Sequence, residues 1–161
     1  MQPLTQDGIT STARETLAKT IDHVLKDECS LSATTRDYRW NVTGPNFYSL
    51  HRLFDEQRRQ LDHWLDKVLE RAKSNGFGAR ANLEKEMQLA VADATSGAGL
   101  PARTMVVNLL LRHEEVAHRL REDIECLADP GTTELLIRIV EFHETTAWML
   151  RMIHHGPDSD G

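Results

Sequence analysis

Cysteine, proline and glycine are all scarce in this chain. It has 2 Cys among 161 residues, and they form no CxxC pair, which excludes a disulfide framework and fits a reducing compartment. Cys29 and Cys126 are expected as small buried hydrophobes. With 9 Gly and 5 Pro, collagen-like and low-complexity classes drop out. No apolar run approaches the roughly 20 residues of a membrane span. The opening MQPLTQDGIT has neither a basic n-region nor an apolar core, so the expectation is a cytoplasmic protein with no membrane partner. Basic residues do not dominate either: 19 Lys and Arg stand against 25 Asp and Glu, a formal net charge of -6. That argues against a domain whose whole surface binds phosphate. What is present, 40% hydrophobic and 27% charged residues, reads as a single globular domain over 1–161. Residues 1–11 form a polar leader and 156–161 an acidic tail. Such a length buries about two-thirds of the unfolded surface.

The pattern is helical throughout. Thr12-Ala-Arg-Glu15 has the form of a capping box, and Leu17, Ile21, Val24 and Leu25 follow at helical spacing, predicting a helix to about Trp40. Gly44-Pro45 breaks it. A second helix is expected from near Ser49 on Leu50, Leu53, Phe54, Leu61, Trp64, Leu65, Val68 and Ala72, until Asn75-Gly76 stops it. A crossover with a short helix around 83–92 leads to the loop Ser96–Pro101. A third long helix runs from about Ala102 to Ala128 on Val106, Val107, Leu110, Val116, Leu120, Ile124 and Leu127, ended by Asp129-Pro-Gly131. The fourth runs from Thr133 to about His154, burying Leu135, Leu136, Ile139, Val140, His143, Trp148 and Met152. Four long helices with one long crossover give an all-α, four-helix bundle of ferritin-like type.

The second helix carries the chemistry. With His51 as zero and 100° per residue, Asp62 falls at about 20°, Asp55 at about 40°, Asp66 at about 60° and Glu70 at about 100°, beside an apolar stripe centred near about 260°. One reading is a solvated face knitted by pairs such as Asp55 with Arg59 and Arg59 with Asp62. The other is a metal site, since oxygen and imidazole ligands suit iron, manganese or zinc. Residues 55 and 66 lie about 16 Å apart along the axis at 1.5 Å per residue, so one helix cannot close the site. Two copies packed antiparallel across a two-fold axis would set His51 and Asp55 of one against Asp66 and Glu70 of the other.

Other histidines carry less. His113 and His118 are five residues apart, about 140° round the helix, and so do not make the H-E-x-x-H of zinc proteases. Glu115-Val-Ala-His118 matches the E-x-x-H element of di-iron bundles but has no second copy. His143 reads as a satisfied core or interface histidine, and His154-His155 sits at a helix end.

The segment RWNVTGPNFYSLHRLFDEQ at 39–57, with DKVLER at 66–71 and TAWMLR at 146–151, resembles the Dps family of miniferritins. The likeness runs from about Thr12 to His154. It implies a four-helix bundle assembled into a hollow dodecamer that binds and stores iron. Such shells oxidise Fe(II) as ferroxidases at a site shared by two-fold-related subunits, usually with hydrogen peroxide, less often oxygen, and so guard against oxidative stress. By position, the resemblance assigns His51, Asp55, Asp66 and Glu70 as iron ligands and catalytic residues, with Trp40 flanking. Where members usually carry a histidine before that Trp, this chain has Arg39, and at a further position often held by histidine it has Arg36. Arginine has no lone pair to donate and stays protonated.

Two outcomes stay open. Arg39 pairs with Asp66 and Glu70 of the partner and closes the site, or it swings aside and His51, Asp55, Asp66 and Glu70 bind iron, with His63 as a recruited ligand. Acids at an iron inlet on the three-fold axis would be Glu125, Asp129 and Glu134. A twelve-subunit shell at -6 each carries about -72, which favours cations and opposes DNA. Residues 1–13 contain no Lys or Arg, so the tails offer DNA no basic arm. The readings are therefore an iron-oxidising cage, a cage whose oxidation site is degenerate, and, least supported, a DNA-compacting particle.

Overall fold

A computed structural model describes residues 10–93 and 96–156, so most of the expected leader and nearly all of the acidic tail lie outside the described residues. Every element in the described residues is a helix: α1 Ser11–Asn41, α2 Phe47–Ser74, α3 Ala79–Asp93, α4 Ala102–Cys126 and α5 Pro130–His154. α1, α2, α4 and α5 make the bundle, and α3 lies in the crossover against α1.

Cross-helix pairs set the directions. Tyr38 meets Phe54 with ring centroids 6.5 Å apart while Ser32 donates to Asp62 at 2.7 Å, so α1 and α2 run antiparallel. Asn108 donates to the Tyr38 hydroxyl at 3.0 Å and Arg119 pairs with Asp27 at 3.1 Å, making α4 antiparallel to α1. Arg121 with Glu144 and Arg151 with Glu114 turn α5 back along α4. The core between these helices includes Leu17, Leu31, Phe54, Leu61, Met105, Leu109, Ile139 and Leu150. At about 25 cal/mol per Å² of apolar surface removed from water, such burial is the main favourable term in folding.

Several helix ends differ from the sequence reading. The cap of α1 is Thr10, whose hydroxyl accepts from Ala13 N at 3.2 Å, two residues before the expected capping box. α2 begins at Phe47, because the turn through Gly44, at φ 100°, is already complete by Asn46. Its C-terminus is as expected: Gly76 at φ 76° lets its own N–H reach Lys73 O at 3.0 Å and that of Phe77 reach Ala72 O at 2.9 Å, a Schellman closure. α4 ends at Cys126, and Asp129-Pro-Gly131 opens α5 where a terminator was expected. Asp129 accepts from Thr132 N at 3.3 Å as N-cap, with Pro130 in the first turn, a place where its missing N–H leaves no hydrogen bond unmade.

Burial also departs from expectation on α5. Trp148 is 55% and Met152 50% exposed, so the core stripe stops at Leu136, Ile139, Val140, His143, Ala147 and Leu150. Of the two free cysteines, Cys29 is buried as expected and Cys126 is exposed at the end of α4.

Candidate metal centre

His51 stands on the first turns of α2, where the chain has just doubled back from α1. Its Nδ1 lies 2.9 Å from the backbone carbonyl of Arg39. A carbonyl only accepts, so Nδ1 carries the hydrogen and Nε2 keeps its lone pair, the state a metal ligand needs. The α1–α2 turn thus fixes the tautomer of this imidazole.

Asp55, one turn on, is surrounded by guanidinium groups. Arg39 Nε is 2.9 Å and Arg58 Nη2 3.3 Å from Oδ1, while Arg59 Nη2 is 3.0 Å from Oδ2. Burial pushes the Asp55 carboxyl upward, and the Arg58 hydrogen bond together with the charges of Arg39, Arg59 and Arg58 outweighs it, holding the group below the usual carboxylate range. Arg58 also grips Asp62 at 3.0 Å, and Asp62 accepts from Ser32 at 2.7 Å. The expected Arg59 with Asp55 pair is present, whereas Asp62 is taken by Arg58. Arg39 itself lies over the exposed Trp40 ring at 5.0 Å.

Asp66 and Glu70 are both exposed further along α2, and Glu70 is 3.4 Å from Lys67. Within one chain Arg39 of α1 is engaged with Asp55 of α2, not with these two acids. Among the described residues, no three His, Cys, Asp or Glu side chains converge to hold a metal ion within the single chain. His63 is exposed, its ring edge-on to Trp64 at 5.0 Å. His118 points outward beside Glu122 at 3.5 Å while His113 is buried, the divergence their five-residue spacing implies.

The three inlet acids differ from one another. Glu125 is exposed, Glu134 is exposed and paired with Arg138 at 2.8 Å, and Asp129 is engaged by Arg71 at 2.8 Å and by its capping bonds. The capping hydroxyl and guanidinium outweigh the upward push of burial and keep the Asp129 carboxyl below the usual range.

Sequence reasoning missed Arg58, although its place three residues after Asp55 and four before Asp62 was a visible signal. It also missed Glu28 and His113 as partners of His143. His143 is buried and satisfied, with Nε2 2.6 Å from Glu28 and Nδ1 2.8 Å from His113.

Comparison with known proteins adds an independent line. Residues 18–155 match the family model described as a ferritin-like domain. The chain is 33% identical over 153 residues to an uncharacterized low temperature-induced protein of Nostoc sp., covering 92% of this chain and 86% of that one. A DNA protection during starvation protein of Agrobacterium fabrum is 27% identical over 154 residues, covering 91% of this chain and 92% of that one. Among solved structures, a Dps protein from Vibrio cholerae, titled a member of the ferritin-like diiron-carboxylate superfamily, superposes with TM-score 0.79 at 22% identity, covering 95% of this chain and 98% of that one.

Proposed function

Since this chain belongs to the Dps branch of the ferritin-like proteins, we propose that it is an iron-sequestering subunit of a homo-oligomeric shell, working in the cytoplasm. Iron is its cargo and Fe(II) its substrate, with hydrogen peroxide or oxygen as oxidant. The observation that carries this reading is the tautomer of His51, locked by the Arg39 carbonyl at 2.9 Å so that Nε2 is free to donate. One imidazole and the carboxylates Asp55, Asp66 and Glu70 form a hard, mostly oxygen donor set suited to Fe(II). On α2 the four cannot meet within one chain, so the site takes His51 and Asp55 from one copy and Asp66 and Glu70 from a two-fold-related second. In this arrangement His51 and the carboxylates bind and orient Fe(II), and the exposed acids Glu125 and Glu134 raise its local concentration at an inlet. Twelve copies and the inlet position are part of the proposal.

A second reading is favoured by a specific observation. With Arg39, Arg58 and Arg59 all on Asp55, that ligand is already neutralised, and the shell stores or scaffolds without fast oxidation at this site. DNA compaction has less support, since a net charge of -6 opposes it.

Anaerobic Fe(II) titration of the purified assembly, followed by peroxide or oxygen with optical detection of ferric product, decides between the two. Saturable binding with oxidation above the buffer control supports the ferroxidase. Absence of both in the native chain, with recovery in Arg39→His, supports the closed site. Light scattering that finds a monomer would sink the shared site altogether.

A further inference from the structure

Three ionisable side chains from three helices lie head to tail in the middle of the bundle, and the iron reading uses none of them. Glu28 of α1, His113 of α4 and His143 of α5 are each 0% exposed. His143 Nε2 is 2.6 Å from Glu28 Oε1, and His143 Nδ1 is 2.8 Å from His113 Nδ1. Glu28 Oε2 and His113 Nε2 have no hydrogen-bond partner.

Hydrogen counting limits the chain to a few arrangements. A contact between two Nδ1 atoms holds one hydrogen, and a carboxylate only accepts. A buried carboxylate without compensation is costly; the arrangement that sets a positive charge beside Glu28 has both ring hydrogens on His143, with Nε2–H donated to Glu28 and Nδ1–H to His113. His113 accepts at Nδ1 and keeps its own hydrogen on Nε2. The charged groups facing His113 are His143 from α5, Glu28 beyond it from α1, and Arg112 on its own helix, turned to Ser30 and Thr34. Asp27 beside Glu28 is spoken for by Arg119 at 3.1 Å. Phe142 stands edge-on to His113 at 6.0 Å and is itself 6.3 Å from Trp64 of α2.

We propose that Glu28, His143 and His113 form an acid-sensitive latch, tying α1, α5 and α4 together while His113 accepts and parting when a solvent proton occupies its Nδ1. That proton removes the only acceptor in the His113–His143 contact, leaving two N–H donors face to face. It also adds a second positive charge to a dry core. Burial first, then the charges of His143 and Arg112, hold His113 well below the ordinary imidazole range, so the latch stays closed at neutral pH. Below a pH of about 6.5 the unfolded chain takes a proton that folded His113 refuses, and the folding constant falls by up to about tenfold per pH unit. None of this depends on iron.

The test is an acid titration of the full chain from about pH 7 to 3, followed by circular dichroism and light scattering, beside His113→Gln. The amide oxygen of glutamine can accept from His143 and cannot be protonated. The variant is expected to lose its structure about one pH unit lower than the native chain. An unchanged midpoint overturns the latch. If His113→Gln does not fold, deuterium exchange at the imidazole C2 of the native protein, read by mass spectrometry, decides instead. His113 should show no titration between about pH 6 and 7, where free imidazoles titrate, and a His113 that titrates there overturns the proposal.

Discussion

Arg39 Nε of α1 lies 2.9 Å from Oδ1 of Asp55 of α2, so a fixed positive charge sits on a carboxylate proposed to bind iron. Arg58 and Arg59 share that carboxylate. Replacing Arg39 by histidine therefore leaves Asp55 with two guanidinium partners. Calorimetric titration with Mn(II) is expected to show about tenfold tighter binding for Arg39→His, and a further tenfold, about 1.4 kcal/mol, on adding Arg58→Gln. Equal affinity in the native, single and double variants would remove the arginines from the account of this site.

The two thiols should differ sharply. Cys29 is 4% exposed, and burial first, then the charges of Glu86, Glu28 and Asp62, pushes its thiol up to about 12. The thiolate is the reactive form, so Cys29 is inert near neutral pH, whereas Cys126 is exposed. A chromogenic disulfide reagent should titrate about one thiol per native chain and about two in denaturant. Two fast thiols in the native protein would contradict the packing around Cys29.

How far these features were legible depends on whether each signal was local. The stripe of α2 from Leu50 to Ala72 is set by helical period alone, and it is buried as read except for the half-covered Leu53 and Trp64. Periodicity gives the centre of a stripe and not its width, so Trp148 and Met152 read as core although they lie outside it. Asp129-Pro-Gly131 is punctuation that serves either end of a helix, and the capping bond from Thr132 N to Asp129 shows that it starts α5. Glu28, His113 and His143 are separated by 85 and 30 residues in sequence, and no spacing rule joins them. The one local hint was an acid at i+4 from Val24 and i+7 from Ile21, on an apolar face.

Gly97 is a close approach of the crossover to α1. Its N–H donates to Asp37 Oδ2, and a Cβ built there would stand 2.9 Å from Tyr38 Cδ1 and 2.8 Å from Asp37 Oδ2. Tyr38 is 1% exposed and cannot give way without disturbing Phe54 and Asn108. Gly97→Ala is thus expected to cost about 1 to 3 kcal/mol in urea unfolding, the usual range for overpacking. Gly99→Ala is not an equivalent control, because Gly99 has φ 78° and is strained for another reason. Gly78→Ala is the better comparison: nothing lies within 4 Å of its Cβ position, and it should be near neutral.

Asp129 joins three tasks, and its removal should reveal them together. It caps α5 through Thr132 N at 3.3 Å and accepts the Thr132 hydroxyl. It also binds Arg71 of α2 through both oxygens, at 3.0 and 2.8 Å. Asp129→Ala loses the cap and leaves Arg71 without its carboxylate, a cost of about 1 to 2 kcal/mol. Because the carboxyl is held below its usual range, its contribution is fully present above the unfolded value of about 4 and fades as pH falls through the folded value. Urea midpoints of native and Asp129→Ala chains should therefore be well separated at pH 7 and converge toward pH 3. Asp129→Asn keeps an acceptor for the cap and loses the ion pair, so its midpoint at pH 7 should fall between the two. A gap that persists unchanged at pH 3 would mean the carboxylate charge contributes nothing, and that the Arg71 pair is only a contact of shape.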